Sequence, residues 1–411
     1  MVTWKPELLA PAKNLERLKV AILYGADAVY VGGQKYGLRA RADNFTRQEL
    51  ASAAAFAHQH NAKLYVTLNA FLHDEDFDGL EEYCAYLESI DIDALIISDL
   101  GVLREVRKAC SIDIHLSTQA SCLNQYAAKV WKQMGVTRII LGREVSIQEA
   151  GVIRASADID IELFIHGAMC MSYSGHCTIS NFTAGRDSNR GGCSQSCRFS
   201  YQLHPYSPVS SQAEMRNNLQ PDEAVTFLSS KDLAGADQIV SFFQHRICSL
   251  KIEGRMKSSL YVATTCKTYR RLIDAYAQQQ QLPLTQHQHE LETLSRRDYC
   301  DGSLSAPAEA DSVYLQGENP NIGSHVPVGI VLDTTDEHIT AFLSTPLQQH
   351  HQIELMPFQN AHVFHTVENM YNLEGQSITA ARQQSVVHIP RTASMKDIAP
   401  LNVIRAQKSG S

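Results

Sequence analysis

The chain has 411 residues, a net charge of −8, 44% hydrophobic and 19% charged residues, and that length exceeds a usual single domain, so one large domain with a smaller companion is expected. A pI near 6.1 argues against a generally basic nucleic-acid binder, while leaving room for a local basic patch, because phosphate contacts need one face only. The opening MVTWKPELLAPAKN holds no long apolar run, and no later stretch has the length to cross a bilayer. The reading is therefore a cytoplasmic enzyme without membrane association, in a reducing compartment where clustered cysteines more often hold metal than form disulfides.

Short apolar runs recur with helical intervals between them: ELLAPA from Glu7, AVYVGG from Ala28, KLYVTLNA from Lys63, ALIISD from Ala94, DIHLSTQ from Asp113, RIILGRE from Arg138, IELFIHG from Ile161 and SLKIEGR from Ser249. The intervals carry amphipathic patterns such as NLERLKVAILYG, RQELASAAAFAHQH and NQYAAKVWKQMG. Eight strand-and-helix units over roughly 250 residues predict a (β/α)8 TIM-barrel-like domain. A doubly wound open sheet is disfavoured, since no Gly-x-Gly-x-x-Gly follows the first strand.

Within the strands, polar residues share one face. Tyr65, Thr67 and Asn69 oppose Leu64, Val66 and Leu68; His115, Ser117 and Gln119 oppose Ile114 and Leu116. Likewise Glu162 and His166 oppose Ile161, Leu163 and Ile165, while Lys251, Glu253 and Arg255 oppose Leu250 and Ile252. With the apolar faces on the helices, the polar faces point into the barrel and predict a ligand cavity near its C-terminal mouth. A satisfied internal network of charges is the alternative.

The seventh strand runs at His166 into a cysteine-rich loop, residues 166–201, holding Cys170, Cys177, Cys193 and Cys197 in the spacing C-x6-C-x15-C-x3-C, with Gly167, Gly175, Gly185, Gly191 and Gly192 between. Four thiolates match the ligand count of a structural zinc or an iron-sulfur cluster. Because the spacing is not the paired C-x2-C of a zinc ribbon, a cluster is favoured, although spacing by itself leaves the metal open. Four buried cysteines or two disulfides are the bland alternative. Arg186, Arg190 and Arg198 surround the thiolates, while Arg39, Arg41, Arg143 and Arg255 fall at strand ends, so an anionic substrate is expected.

Downstream, residues 202–224 are polar and proline-punctuated, and residues 278–290, QQQQLPLTQHQHE, read as a polar connector. The expected organisation is a catalytic domain over residues 1–300, a linker over 301–325, and a small antiparallel β-barrel over 326–406 built from runs such as VGIVL, HITAFL and HQIELM.

ELLAPA, YGADAVYVGG, YGLRAR, HLSTQA, FIHGAMCMSYSGHCTIS, GGCSQSCR, SSKDL and SLKIEGRMKSSLYVA together resemble the collagenase-like peptidase family, most closely its tRNA-modifying branch, from about Glu7 to Tyr299. The resemblance implies a barrel carrying a 4Fe-4S cluster, hydroxylation of the tRNA wobble uridine to 5-hydroxyuridine, and prephenate as the hydroxyl source. By motif match, Cys170, Cys177, Cys193 and Cys197 become cluster ligands. Prephenate is a dicarboxylate, which Arg39, Arg41, Asn69, Gln119, Arg143, Lys251 and Arg255 would bind, while His166, Glu253 and Tyr173 are candidates for proton transfer or hydrogen bonding. Implied partners are tRNA, prephenate, and iron-sulfur assembly machinery or an electron donor. Proteolysis ranks lower: the sequence holds no Gly-x-Ser-x-Gly and no His-Glu-x-x-His, and Cys170 cannot act freely as a nucleophile while it ligates a cluster. A noncatalytic RNA-binding or cluster-delivery protein, and hydroxylation of ribosomal RNA or a ubiquinone precursor, remain alternatives.

Overall fold

A computed structural model describes residues 4–38, 44–202, 224–226, 228–282, 284–294, 296–308, 312–314 and 322–408. Seven strands, β1 (Glu7–Pro11), β2 (Ala28–Gly32), β3 (Lys63–Leu68), β4 (Ala94–Ile97), β5 (Asp113–Leu116), β6 (Arg138–Ile140) and β7 (Asp160–Ala168), alternate with helices α1 (Leu15–Leu23), α2 (Arg47–Gln59), α3 (Leu80–Ser89), α4 (Leu100–Ala109), α5 (Gln125–Gln133) and α6 (Ile147–Ala157). An excursion follows β7. It contains α7 (Ile179–Ala184), the antiparallel pair β8 (Tyr201–Gln202) and β9 (Ala224–Val225), and β10 (Asp232–Ala234). Strand β11 (Ser249–Ile252) then pairs in parallel with both β1 and β7, which closes an eight-stranded parallel barrel, as the spacing of apolar runs predicts. The helix Ser259–Ala277 completes the eighth unit.

Local sequence sets the element boundaries. Thr46 with Glu49 and Ser146 with Glu149 form reciprocal capping boxes, while Asn14, Asp99, Asn124 and Ser258 each accept a first-turn N–H, so orphan donors at helix starts are satisfied. The strand positions Leu64, Val66, Ile114, Leu116, Ile161, Leu163 and Leu250 all enter one buried core beneath the helical layer. That burial is what the alternating pattern anticipates.

At its far end β7 departs from regular alternation. The pairing of β11 with β7 matches Lys251 to Phe164 but Ile252 to His166, so one extra residue is inserted. Beyond that bulge β10 pairs antiparallel with His166–Ala168, and β12 (Tyr299–Cys300) adds to β10. Ser312 and Tyr314 of the expected linker hydrogen-bond along Ser229–Lys231, so this part of the 301–325 segment extends the sheet. The expected polar connector holds a helix, Leu284–Glu292. Its Leu284, His287 and Leu291 recur at helical spacing, and His287 and Leu291 are buried, a stripe masked in the sequence by the glutamines and histidines around it. Residues 203–223, the interior of the other polar segment, lie outside the described residues.

The C-terminal unit is a curled six-stranded antiparallel sheet in the order β17 (Val363–Thr366), β16 (Gln352–Met356), β20 (Val403–Gln407), β13 (His325–Thr334), β14 (His338–Leu343), β19 (Val386–Pro390), with the short pair β15 (Leu347–Gln348) and β18 (Ala380–Ala381) beside it. It has its own core around Val331, Leu343, Leu355 and Ile389. It docks on the helical layer: Tyr24 donates to the Met356 carbonyl and accepts from Val403 N–H at 3.0 Å, while buried Lys267 donates to the Pro357 and Asn360 carbonyls at 2.6 and 2.8 Å.

Candidate active site at the barrel mouth

The lower barrel interior is filled by an ion network. Glu162, fully buried, accepts from Lys251 Nζ at 2.8 Å and lies 3.4 Å from Arg138 Nη1; Arg138 also binds Glu7 at 2.6 Å. Tyr65 and Ser249 donate to Glu7 at 2.7 and 3.0 Å. Two carboxylates thus balance two cations. Burial would raise the Glu7 carboxyl, but Arg138 overcomes it and the net shift is downward. Burial pulls Lys251 down, against the opposing pull of Glu162. The Lys251 ammonium sits 4.3 Å from the Tyr30 ring centroid, and His115, its Nδ1 without a partner among the described residues, lies edge-on to Tyr65. At this depth the charged groups of the lining pair with one another, leaving His115 Nδ1 and Arg138 Nε as its unpartnered polar atoms among the described residues.

Toward the mouth the polar side chains turn from pairing with one another to holding loops. Arg255 donates to Thr67 Oγ1 at 3.1 Å and to the Leu38 carbonyl, and Asn69 donates to Ser117 Oγ at 3.2 Å while accepting from Leu38 N–H at 3.3 Å. Arg255 and Asn69 therefore pin the loop that follows β2. Gln119 lies on the turn after β5, where its carbonyl comes so close to Gly175 that a Cβ there would sit 2.0 Å away; with φ at +83°, only glycine lets the cysteine loop seat on this turn. Arg143 lies 3.9 Å over the Phe164 ring, and its backbone N–H donates to Ser174 Oγ at 3.2 Å. Arg39 and Arg41 lie outside the described residues.

The cysteine loop is tied across the mouth. Ser174 N–H donates to Glu144 at 2.9 Å, Arg190 donates to the Phe71 carbonyl at 2.9 Å and pairs with Asp76 at 2.7 Å, and Ser180, Ser194, Ser196 and Thr183 link their hydroxyls at 2.6–3.1 Å. All ten cysteines are free thiols; Cys170 is exposed and Cys177, Cys193 and Cys197 are half-buried. Burial alone would raise the Cys177 thiol, but hydrogen bonds led by Ser172 and the N–H groups of Ile179 and Ser180 bring it below the ordinary value. Cys197 is raised by burial, eased by Arg198, and feels the charge of Cys170, Cys193 and Cys177. The loop thus gathers the four thiols within electrostatic reach of Cys197. Among the described residues no three His, Cys, Asp or Glu side chains are closed into a metal cage.

His166 departs from its expected place. The bulge between β7 and β11 turns its ring out of the lumen into the helical layer, where Nδ1 is 3.0 Å from Tyr269 Oη and the ring is walled by Tyr261, Tyr269 and Tyr299. It is 1% exposed, and burial, reinforced by Lys257 and Arg296 against Asp232, holds its pKa near 3, so the ring is neutral. Glu253, one strand over, is half-buried, and Tyr261 donates to its carbonyl at 2.7 Å. Tyr173 is 60% exposed on the loop.

Between the cysteines and His166 lies a charged group that strand alternation does not reveal. Asp232 pairs with Arg297 at 2.5 Å, both buried. Burial and Arg297 lower the Arg198 guanidinium, while Asp232, Glu253 and Cys197 support its charge. Asp232 sits in the short SSKDL run and Arg297 lies 65 residues further on, so only the β10–β12 pairing brings them together. The fold and this mouth define a (β/α)8 barrel with a cysteine-bearing loop seated on its C-terminal end.

The chain belongs to peptidase family U32, whose sequence profile matches residues 13–314. It is similar to the tRNA hydroxylation protein P1 of Bacillus subtilis (strain 168), 39% identical over 415 aligned residues that take in 99% of this chain and 96% of that one. It also resembles the 23S rRNA 5-hydroxycytidine C2501 synthase of Escherichia coli (strain K12), 30% identical over 93% of this chain and 58% of that one. The Collagenase of Porphyromonas gingivalis (strain ATCC BAA-308 / W83) is 30% identical over 72% of each chain.

Proposed function

We propose that this protein is an RNA hydroxylase that acts on tRNA, converting the wobble uridine to 5-hydroxyuridine with prephenate as the source of the hydroxyl group. The observation that carries the reading is end-to-end similarity to a tRNA hydroxylation protein, combined with four free cysteines on the loop over the barrel mouth. The name of the rRNA synthase relative supports the same chemistry on a pyrimidine of RNA.

The donor set suits a 4Fe-4S cluster: four thiols on one glycine-rich loop, free of disulfides, with N–H and hydroxyl donors aimed at Cys177 that a thiolate would accept. We assign Cys170, Cys177, Cys193 and Cys197 as its ligands. Bound there, the cluster would supply one-electron chemistry beside the mouth. The chain's own residues do the rest. Arg143 and Arg198, with Arg39 and Arg41, hold the carboxylates of the donor; Arg255 and Asn69 keep the loop after β2 in place; Glu253, whose charge supports that of Arg198, is the proton-transfer group. His166, neutral and sealed among tyrosines, acts by positioning β7 and the loop that leaves it.

Proteolysis has a namesake among the relatives but little support in the geometry. Cys170 is exposed, whereas the His166 ring is buried and directed at Tyr269, so they form no nucleophile–base pair. The deciding experiment supplies prephenate labelled with heavy oxygen at its hydroxyl to anaerobically prepared protein and unmodified tRNA, followed by mass spectrometry of nucleosides. Labelled 5-hydroxyuridine is expected. Modification that carries no label, or that requires molecular oxygen, sinks the prephenate assignment; absence of any hydroxylated nucleoside sinks the function.

A further inference from the structure

On the outer side of the loop that follows β2 there is a cavity of about 180 Å³, lined among others by Gln34, Lys35, Tyr36, Arg47, Glu82 and Tyr83. It is well below the roughly 300–1,000 Å³ of clefts that take drug-sized ligands, so it suits one flat fragment. Two features mark it as built. Tyr83 is 7% exposed, yet its hydroxyl has no hydrogen-bond partner among the described residues, although buried polar groups are nearly always paired. That hydroxyl lies behind the cavity wall, packed against Gly33, where the absence of a side chain makes room for it: a Cβ there would lie 2.1 Å from Tyr83 Oη. Beside it, Tyr36 is held at φ +68°, a conformation rare for an aromatic residue, with its ring 5.5 Å from that of Tyr83 and its hydroxyl on the Asp78 carbonyl at 3.2 Å.

The cavity shares its wall with the mouth. Tyr36 and Leu38 belong to one short loop; Leu38 is held from the barrel side by Arg255 and Asn69, and the Tyr36 carbonyl accepts from Ala70 N–H at 3.0 Å. Whatever sits against Tyr36 is therefore one loop's thickness from the reaction site. Charge at the rim is mixed, since Arg47 pairs with Glu82 at 2.8 Å and Lys35 adds one cation. That balance does not suit a dicarboxylate. It does suit a nucleotide: two aromatic rings in the wall, each under 10% exposed, that a flat base can lie against, an amide for the edge of a base, a carboxylate to accept from an exocyclic amine, and a cation for a phosphodiester.

We propose that this cavity is a subsite for one unpaired nucleobase of the RNA, flanking the nucleotide that enters the barrel; the proposal rests on the RNA reading above. The base stacks on Tyr36 and takes up the orphaned hydroxyl of Tyr83, and its insertion fixes which neighbouring nucleotide faces the mouth.

The test uses the full-length protein and an unmodified anticodon stem-loop RNA carrying 4-thiouridine in the loop, photocrosslinked and mapped by mass spectrometry, together with Tyr83→Phe and Tyr36→Leu. Crosslinks are expected in the peptide holding Gln34–Tyr36 or Tyr83. Tyr83→Phe should weaken RNA binding roughly threefold to tenfold, as for one lost hydrogen bond. Because the hydroxyl has no partner in the free protein, the same change should leave the thermal midpoint unchanged or higher, which a purely structural tyrosine would not do. Tyr36→Leu should weaken binding by about tenfold or more through lost stacking. Full affinity in both variants with crosslinks confined elsewhere overturns the subsite and leaves the RNA reading standing. Failure of the wild-type protein to bind the stem-loop at all overturns that reading and the subsite with it.

Discussion

Glu162→Gln tests the ion network beneath the mouth. The substitution preserves size and removes one charge from a residue with no exposure, 2.8 Å from Lys251 and 3.4 Å from Arg138. Arg138 keeps Glu7 at 2.6 Å, but the buried Lys251 ammonium loses the carboxylate that faces it. Stranding one partner of a buried pair costs about 3–5 kcal/mol, which for a domain of this size lowers the thermal midpoint by roughly 6–15 °C. The pH dependence has a definite sign. Burial already sets the folded pKa of Lys251 below its ordinary value, and loss of Glu162 lowers it further. Between that pKa and the unfolded value of about 10.4, the unfolded chain binds more protons than the folded one, so stability rises with pH. The deficit against wild type should therefore be larger at neutral pH than in alkaline solution, shrinking as pH rises toward the unfolded value. Urea unfolding at both pH values measures this, and Glu162→Gln with Lys251→Met should recover most of the loss. A single variant within about 1 kcal/mol of wild type, or a deficit that grows with pH, would show that Glu162 does not carry the network.

Three further outcomes are expected from the site and the domain contact. Protein purified without oxygen should be brown and hold about four iron atoms per chain, and Cys177→Ala or Cys193→Ala should bleach it; stoichiometric zinc without iron would rule out the cluster. Lys267 is buried under the C-terminal sheet with its pKa lowered to about 7 by burial and Arg271, so it makes stability rise with pH between about 7 and 10.4. Lys267→Met should flatten that rise, and an unaltered slope in the variant contradicts the assignment. His166→Ala should cost roughly 2–4 kcal/mol by opening a cavity among three tyrosines, while the activity that survives keeps its pH profile between 6 and 8, because a group titrating near 3 sets no limb there. Loss of a limb near pH 6.5 in that variant would return His166 to the role of proton carrier.

What the sequence reveals and what it hides divide along one physical line. All eight barrel strands are legible because a strand flanked by helices must be apolar on the side that meets them, and the intervals must repeat at helical period; both are short-range constraints written in neighbouring residues. The cysteine loop is legible for the same reason, as its four thiols lie within one segment. Contacts between distant residues are a different matter. Glu162 and Lys251 share the polar face, yet whether such residues greet a ligand or each other depends on strand register around a closed barrel, and the β7–β11 register sets them 2.8 Å apart. Tyr83 leaves no mark in the sequence beyond an ordinary helix position; its meaning comes from Gly33, fifty residues away, which makes room for the hydroxyl.

His166 shows most sharply how a local rule fails. Strand alternation puts it on the face of Glu162, and the inference would hold for a regular strand. A single inserted residue between Phe164 and His166 reverses every side chain beyond it, because the side-chain period is two. The insertion has a structural cause in the residues just beyond it. Gly167, at φ +111°, lets β7 run so close to the end of β11 that a Cβ would meet the Glu253 carbonyl at 2.5 Å, and β10 pairs with His166, Gly167 and Ala168. The bulge thus carries β7 out of the barrel and aims the chain at the cysteine loop, and a histidine on the outer face, bonded to Tyr269, is what fills the space that this departure opens. The conspicuous histidine of FIHGAMC therefore sits in the geometry that carries the chain toward the cysteine loop, and the substrate contacts proposed above fall instead to Arg198, Arg143 and Glu253.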